Sequence, residues 1–419
     1  MNRKQTTKGI FLCLIGLVSL LIGTGCNNLS ALLTDDDQNE PETVSINADV
    51  VTANTRFGFD LFNELRQTEQ DKNIFISPLS VSIALAMTLN GAAGETEQAM
   101  TNTLQLQGLG SESINPGYAG LRYALQTSDP KVTLTIANSL WARQGVPFKQ
   151  DFLERNAEHF GAEISTLDFT DPNTLTTINQ WVNTNTNGKI QKILDEINQD
   201  LVLFLINAIY FKGTWQTEFD PARTRDDIFH LATGSEKQVP MMTRTGDYPY
   251  YENYDAMFQA ISLPYGDGRM SMYIFLPYRE SDLNTFLDSL NSEDWENWIA
   301  EFHEQEIFLS MPKFKLEYEK MLNSPLQSLG MEIAFAPNGA DFSRMADLEA
   351  LGQNLYIGDV LHKAVVEVNE EGSEAAAVTS IGIRATSAPP AFIANRPFFF
   401  AIRDNETKTV LFMGTVVDP

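Results

Sequence analysis

The amino-acid sequence predicts an α+β fold, and three observations carry that expectation. Stretches whose apolar residues recur at helical spacing stand beside stretches that alternate at period two. The two kinds are intermixed without strict strand–helix alternation, which argues against a doubly wound parallel sheet. One near-continuous apolar run, Leu201 to Phe211, reads as a strand covered on both faces.

At the N-terminus Arg3, Lys4 and Lys8 precede the apolar run Ile10 to Ile22, and Gly23-Thr24-Gly25-Cys26 follows. A charged start, an apolar stretch short for a membrane span and small residues before a cysteine resemble a bacterial lipoprotein signal. That resemblance makes residues 1–25 a signal peptide and Cys26 the lipidated first residue of an exported, envelope-anchored protein. Gly23 stands where a leucine is usual, so plain cleavage with secretion, or retention of the segment as an anchor, are the alternatives. Residues 26–48 are polar and acidic (Asp35-Asp36-Asp37, Glu40-Pro41-Glu42) and read as a tether, leaving 49–419 as the folded body. With Cys13 and Cys26 both near the N-terminus, the body holds no thiol. Thiol catalysis, disulfides and cysteine metal sites are excluded there.

The 419 residues suffice for two domains or one large composite unit, and 43% hydrophobic content supports a core without disulfides. Fifty-five acidic against 29 basic residues give a net charge of −26, with no dense Lys/Arg cluster. Nucleic acid and other polyanions are therefore not expected partners, and the membrane is reached only through the N-terminal lipid.

The body begins near Val50 with Phe57, Leu61, Phe62 and Leu65 at helical spacing. Asn73 to Ser77 gives a short strand, and Pro78 then opens a helix running from Leu79 to about Asn90, apolar nearly all round and so buried. Gly94 starts another helix. Val132 to Ala137 alternates as a strand and continues to Trp141; Leu175, Ile178 and Val182 mark a helix stopped at Asn187-Gly188. After the apolar run, Lys212-Gly213-Thr214-Trp215 reads as a turn. Met270 to Leu276 is a strand entered by the turn Tyr265-Gly266-Asp267-Gly268, two short helices lie around Leu283–Leu290 and Trp295–Phe302, and Ile307 to Phe314 is again strand-like.

The stretch from Asn369 to Ile383 reads two ways. At period two, Ser373, Ala375, Ala377, Thr379, Ile381 and Ile383 form a small-then-apolar set. Glu374, Ala376, Val378, Ser380, Gly382 and Arg384 form a mixed one, which describes a strand with one buried and one wet face. Yet Ala385-Thr386-Ser387-Ala388-Pro389-Pro390 reads as an exposed loop, because its prolines donate no backbone hydrogen bonds. A segment able to be strand or loop points to a switch.

Glu370-Glu371-Gly372-Ser373-Glu374-Ala375-Ala376-Ala377-Val378-Thr379 resembles the hinge of the serpin reactive-centre loop. Asn395-Arg396-Pro397-Phe398 and Leu411-Phe412-Met413-Gly414 resemble the serpin C-terminal signature. Further landmarks come in order from residue 50: Asn73 to Ser80, Asn207 to Trp215, Met311-Pro312-Lys313-Phe314 and His362-Lys363-Ala364. The resemblance implies three β-sheets, about eight or nine helices and an exposed reactive-centre loop. It further implies a suicide inhibitor of serine proteases that takes its cut arm into the main sheet. Ser77, Ser80, Asn207 and His362 match the buried polar cluster called the shutter, and Trp215 the place where the loop first enters. Counting by the family's spacing from Glu370 and from Pro397 gives the scissile bond Thr386-Ser387, which suits elastase-like or subtilisin-like proteases. Arg384 is a secondary candidate for trypsin-like enzymes. A non-inhibitory serpin acting as a surface binding or chaperone-like protein is the alternative.

Catalysis is not expected. No Gly-x-Ser-x-Gly elbow, phosphate loop or His-Glu-x-x-His occurs, and the four histidines lack ligand-like spacing. Only a dispersed Ser/His/Asp triad stays open, since its members need not be adjacent in sequence. No cofactor or metal is expected, and the expected state is a monomer.

Overall fold

The computed structural model describes residues 46–126, 129–199, 201–373 and 389–419. Cys26, the hinge residues Glu374, Ala375, Ala376, Ala377, Val378 and Thr379, Arg384 and the pair Thr386 and Ser387 lie outside the described residues.

Helix α1 (Ala48–Thr68) starts where the Asn47 side chain accepts the Asp49 and Val50 amides. Strand β1 (Ile74–Ile76) leads into α2 (Pro78–Leu89), capped by Ser77, with proline in its first turn and all its residues buried. Next come α3 (Gly94–Thr103), α4 (Ser111–Gln126), β2 (Val132–Arg143), α5 (Gln150–Phe160), β3 (Glu163–Leu167), α6 (Pro172–Asn185) and β4 (Leu203–Thr214). Four strands follow: β5 (Arg225–His230), β6 (Glu236–Asn253), β7 (Phe258–Pro264) and β8 (Met270–Pro277). Then come α7 (Leu283–Ser289), α8 (Ser292–Ala300), β9 (His303–Pro312), β10 (Phe314–Met321), and the single-turn helices α9 (Asn323–Leu326) and α10 (Leu348–Leu351). The chain closes with β11 (Asp359–Val368), β12 (Gly372–Ser373), β13 (Ala391–Ile393), β14 (Phe398–Asp404) and β15 (Val410–Val416).

By hydrogen bonding the described strands form two sheets. The larger has the order β1-β15-β14-β8-β7-β6-β9-β13, with β5 also on β6. Strand β6 joins what would otherwise be separate sheets: Met241 to Tyr250 pair with β9, while Tyr250 to Asn253 pair with β7. The smaller sheet has the order β10-β11-β4-β2-β3, with β12 against β4.

A large apolar core takes the odd-numbered β4 residues Leu203, Leu205, Ile209 and Phe211. A second cluster takes Phe204, Ile206 and Ala208 on the other face, under Ile178 and Val182 of α6. Strand β4 is thus covered on both faces, as its near-continuous apolar run predicts. It also runs on through Gly213 and Thr214, where the sequence suggested a turn. Gly213 lies under the Tyr265 ring, which a Cβ there would meet at 2.8 Å, so glycine keeps the strand going beneath the aromatic. No helix among the described residues is long and apolar enough to cross a membrane.

Candidate functional site: a parallel seam and the turn above it

Strands β4 and β11 pair in parallel at the centre of the smaller sheet, from Phe204↔Asp359 to Tyr210↔Val365. Both strands continue past that point, but the ladder does not. Above it, the chain leaving β11 reverses within a tight turn, in which the Asn369 amide donates to Gly372 O and the Gly372 amide to Asn369 O. Gly372 and Ser373 then pair antiparallel with Thr214 and Gly213 of β4. Gly372 has φ +138°, and a Cβ there would lie 2.1 Å from Gly213 O, so only glycine makes this turn against β4.

Every carbonyl of the turn is tied. The Trp215 amide donates to Glu371 O at 2.9 Å, Phe219 N to Glu370 O at 2.8 Å, and the Trp215 indole to Asn369 O at 3.0 Å. Trp215 stacks on Tyr265 with centroids 4.4 Å apart. The nearly buried Glu370 carboxylate receives Lys313 Nζ at 2.7 Å and the Thr224 hydroxyl at 2.8 Å. Burial pushes its pKa up, but those two partners outweigh burial and hold it below the usual carboxylate value.

Halfway down the seam, Asn207 and His362 stand directly opposite each other. Ser77, Ser80, Asn207 and His362 are all fully buried. The Ser77 amide donates to His362 Nε2 at 3.3 Å, so Nδ1 carries the proton and meets Asn207 Oδ1. The Asn207 amide group donates to Ser80 Oγ and to Asn138 Oδ1, while Ser77 Oγ donates to Leu411 O at 2.7 Å and accepts the Ser80 amide. Burial pushes the imidazole pKa down to about 3, which keeps the ring neutral. A second ring proton would point at the Ser77 N–H, donor against donor. This cluster links α2, β2, β4, β11 and β15 through side chains, so parting β4 from β11 breaks buried hydrogen bonds costing roughly 1–3 kcal/mol each if left unmet.

A family model described as Serpin (serine protease inhibitor) matches residues 52–419. The chain belongs to the serpin family. It is 34% identical to the leukocyte elastase inhibitor of Xenopus tropicalis over 378 residues, covering 88% of this chain and 99% of that one. It is likewise 34% identical to human antithrombin-III over 380 residues, covering 88% and 81% of the two chains. Among solved structures, the thermophilic serpin tengpin in its native state superposes with a TM-score of 0.81 at 35% identity, covering 90% and 95%.

The structure therefore brings together the four residues matched to the serpin shutter, and places Glu370, Glu371, Gly372 and the Ser373 backbone beside Trp215. Sequence reasoning did not single out Asn138 or Lys313. Asn138 was detectable as an asparagine within the strand-like stretch Val132 to Trp141. Lys313 had no such signal, because its partner Glu370 is 57 positions away in sequence and close only in the fold.

Proposed function

We propose that this serpin inhibits serine proteases as a suicide substrate, with the cut arm entering the seam between β4 and β11. The observation that carries this reading is the antiparallel pairing of β12 with β4 where the parallel ladder ends. A strand continuing from β12 would run antiparallel to both neighbours and replace one parallel pairing with two antiparallel ones, the more stable arrangement per residue.

The register of β12 fixes the rest by simple extension. Ala375 would face Phe211, Ala377 Ile209, Thr379 Asn207, Ile381 Leu205 and Ile383 Leu203. Small residues meet large ones, and Thr379 arrives between Asn207 and His362 with a hydroxyl able to take up the hydrogen bonds that insertion breaks. The even set would carry Glu374 beside Lys212, Ala376 beside Tyr210 and Gly382 beside Phe204. In that register its lower half would meet the apolar cluster under α6. Burying Ile381 and Ile383 contributes on the order of 3–6 kcal/mol. An arm from Ser373 to Thr386, about 14 residues at roughly 3.3 Å each, reaches about 45 Å and would carry an acyl-linked protease along the body.

In this reading the bond attacked is Thr386-Ser387, and the similarity to leukocyte elastase inhibitors favours an elastase-like or subtilisin-like target. The test mixes the protein with elastase, subtilisin and trypsin and weighs the released C-terminal fragment. A detergent-stable complex with elastase or subtilisin and a fragment beginning at Ser387 supports the reading. A fragment beginning at Ala385 with a stable trypsin complex moves the bait to Arg384, and cleavage without any complex favours the non-inhibitory alternative. We also propose residues 1–25 as a signal and Cys26 as the lipid attachment point of an envelope protein; lipid labelling lost in Cys26→Ser tests that separately.

A further inference from the structure

Away from the seam, the described residues form a cavity of about 300 Å³, within the size range of small-ligand sites. It lies where the end of α1, the β5–β6 turn, the β8–α7 connection and the chain between β13 and β14 converge. Leu231, Pro277, Leu283 and Leu287 make its apolar wall, and Arg396 supplies a half-buried cation.

The other charged groups at this site are mostly matched. Arg66 meets Asp288 at 2.8 Å, Glu69 is held by Lys320 and Tyr318, Asp282 accepts the Thr285 amide, and His230 lies 3.5 Å from Glu236. Asp71 and Lys72 stand side by side, exposed. Arg396 differs. Its Nε and Nη2 donate to Pro277 O at 2.9 and 2.7 Å, which fixes the guanidinium in place but leaves its charge unneutralised. Among the described residues no carboxylate lies within ion-pair distance of it, and Nη1 has no hydrogen-bond partner. Burial and the nearby Arg279 pull its pKa down to about 10, with Glu280 opposing them. A cation held rigidly beside an apolar wall, short of a counter-ion, is complementary to an anion with an apolar tail.

We propose that this cavity binds a small amphipathic carboxylate, its anionic head on Arg396 and its chain along Leu231, Leu283 and Leu287. The site is separate from the seam and does not rest on the inhibitory reading.

Titration calorimetry of the full chain with octanoate, octanol and octylamine tests it. Octanoate binds at least about tenfold more tightly than octanol, and octylamine gives no binding. Ala232→Trp, which fills the cavity from the exposed turn without touching Arg396, abolishes octanoate binding. Arg396→Gln retains a donor for Pro277 O and makes octanoate and octanol equal. Absence of octanoate binding, equal binding of octylamine, or unchanged octanoate affinity in Ala232→Trp overturns the proposal; none of the three needs a variant at Arg396.

Discussion

Two strand pairs of this molecule are built to opposite ends. In β14–β15 the pairing is antiparallel and both strands are buried throughout; Phe400, Ala401 and Ile402 stand against Gly414, Met413 and Phe412. Phe75 stacks on Phe400 and Phe412, and Phe314 packs on Phe400 at 5.5 Å. In β4–β11 the pairing is parallel, it stops at Tyr210↔Val365, and its middle pair is Asn207↔His362. The first joint relies on dispersion and burial, which fade only when the whole core separates. The second also shares in the apolar core, but its ladder is parallel, and its middle is a cluster of directional buried hydrogen bonds.

The largest effect that would sharpen this contrast is cleavage of the loop. An inserted arm adds about ten ladder hydrogen bonds and the burial of two isoleucines, so the melting temperature of the cut chain should rise by more than about 10 °C. Coincident melting curves before and after limited proteolysis would remove the basis for the seam.

Two truncations, one in each joint, come next. Phe400→Ala should cost about 3–5 kcal/mol in the intact and cleaved forms alike, because its ring partners Phe75 and Phe398 lie in the larger sheet, away from the seam. Asn207→Ala should cost about 2–4 kcal/mol in the intact form, since it orphans groups on His362, Ser80 and Asn138. The cleaved form should lose less, because Thr379 supplies a hydroxyl to the same place. Denaturant unfolding of both forms of both variants checks this; equal losses for Asn207→Ala in the two forms would erase the distinction.

Much of this contrast was legible in the sequence. The apolar runs of β4, β8 and α2 marked the core, and Ser77-Pro78 marked a helix start. What pattern alone did not reveal was set by neighbours distant along the chain. Gly213 reads as a turn residue until Tyr265 is seen lying over it. Lys313 stands in the landmark Met311-Pro312-Lys313-Phe314, but only the fold brings the turn at Glu370 to it.

A substitution in the hinge gives a functional readout. Ser373→Arg should turn inhibitor into substrate, because position 373 pairs with Gly213 and opens the set proposed to enter the core side, where a charge is not buried cheaply. The stoichiometry of inhibition measures this, and an unchanged value would show the odd and even faces to be reversed.

The smallest expected effect is on pH. The folded His362 pKa lies below its ordinary value of 6.5, so between those values the unfolded chain binds the extra proton. Stability from this group is complete above about pH 6.5 and declines on acidification by about 1 kcal/mol per pH unit. Urea unfolding of the intact protein from pH 7 to pH 5 should show this slope, and His362→Gln should flatten it. Glu370 adds a loss of the same sign only below pH 4.5, where the unfolded chain takes up a proton before the folded carboxylate held by Lys313 does.

The central claim, that the arm enters the seam in the register set by Gly372 and Ser373, is tested most directly by amide hydrogen exchange on the cleaved protein. The account predicts that amides from Ala375 to Ile383 become as protected as those of Leu205 to Phe211 in β4, slowing by about a thousandfold or more. Exchange rates in that segment left unchanged by cleavage would contradict it.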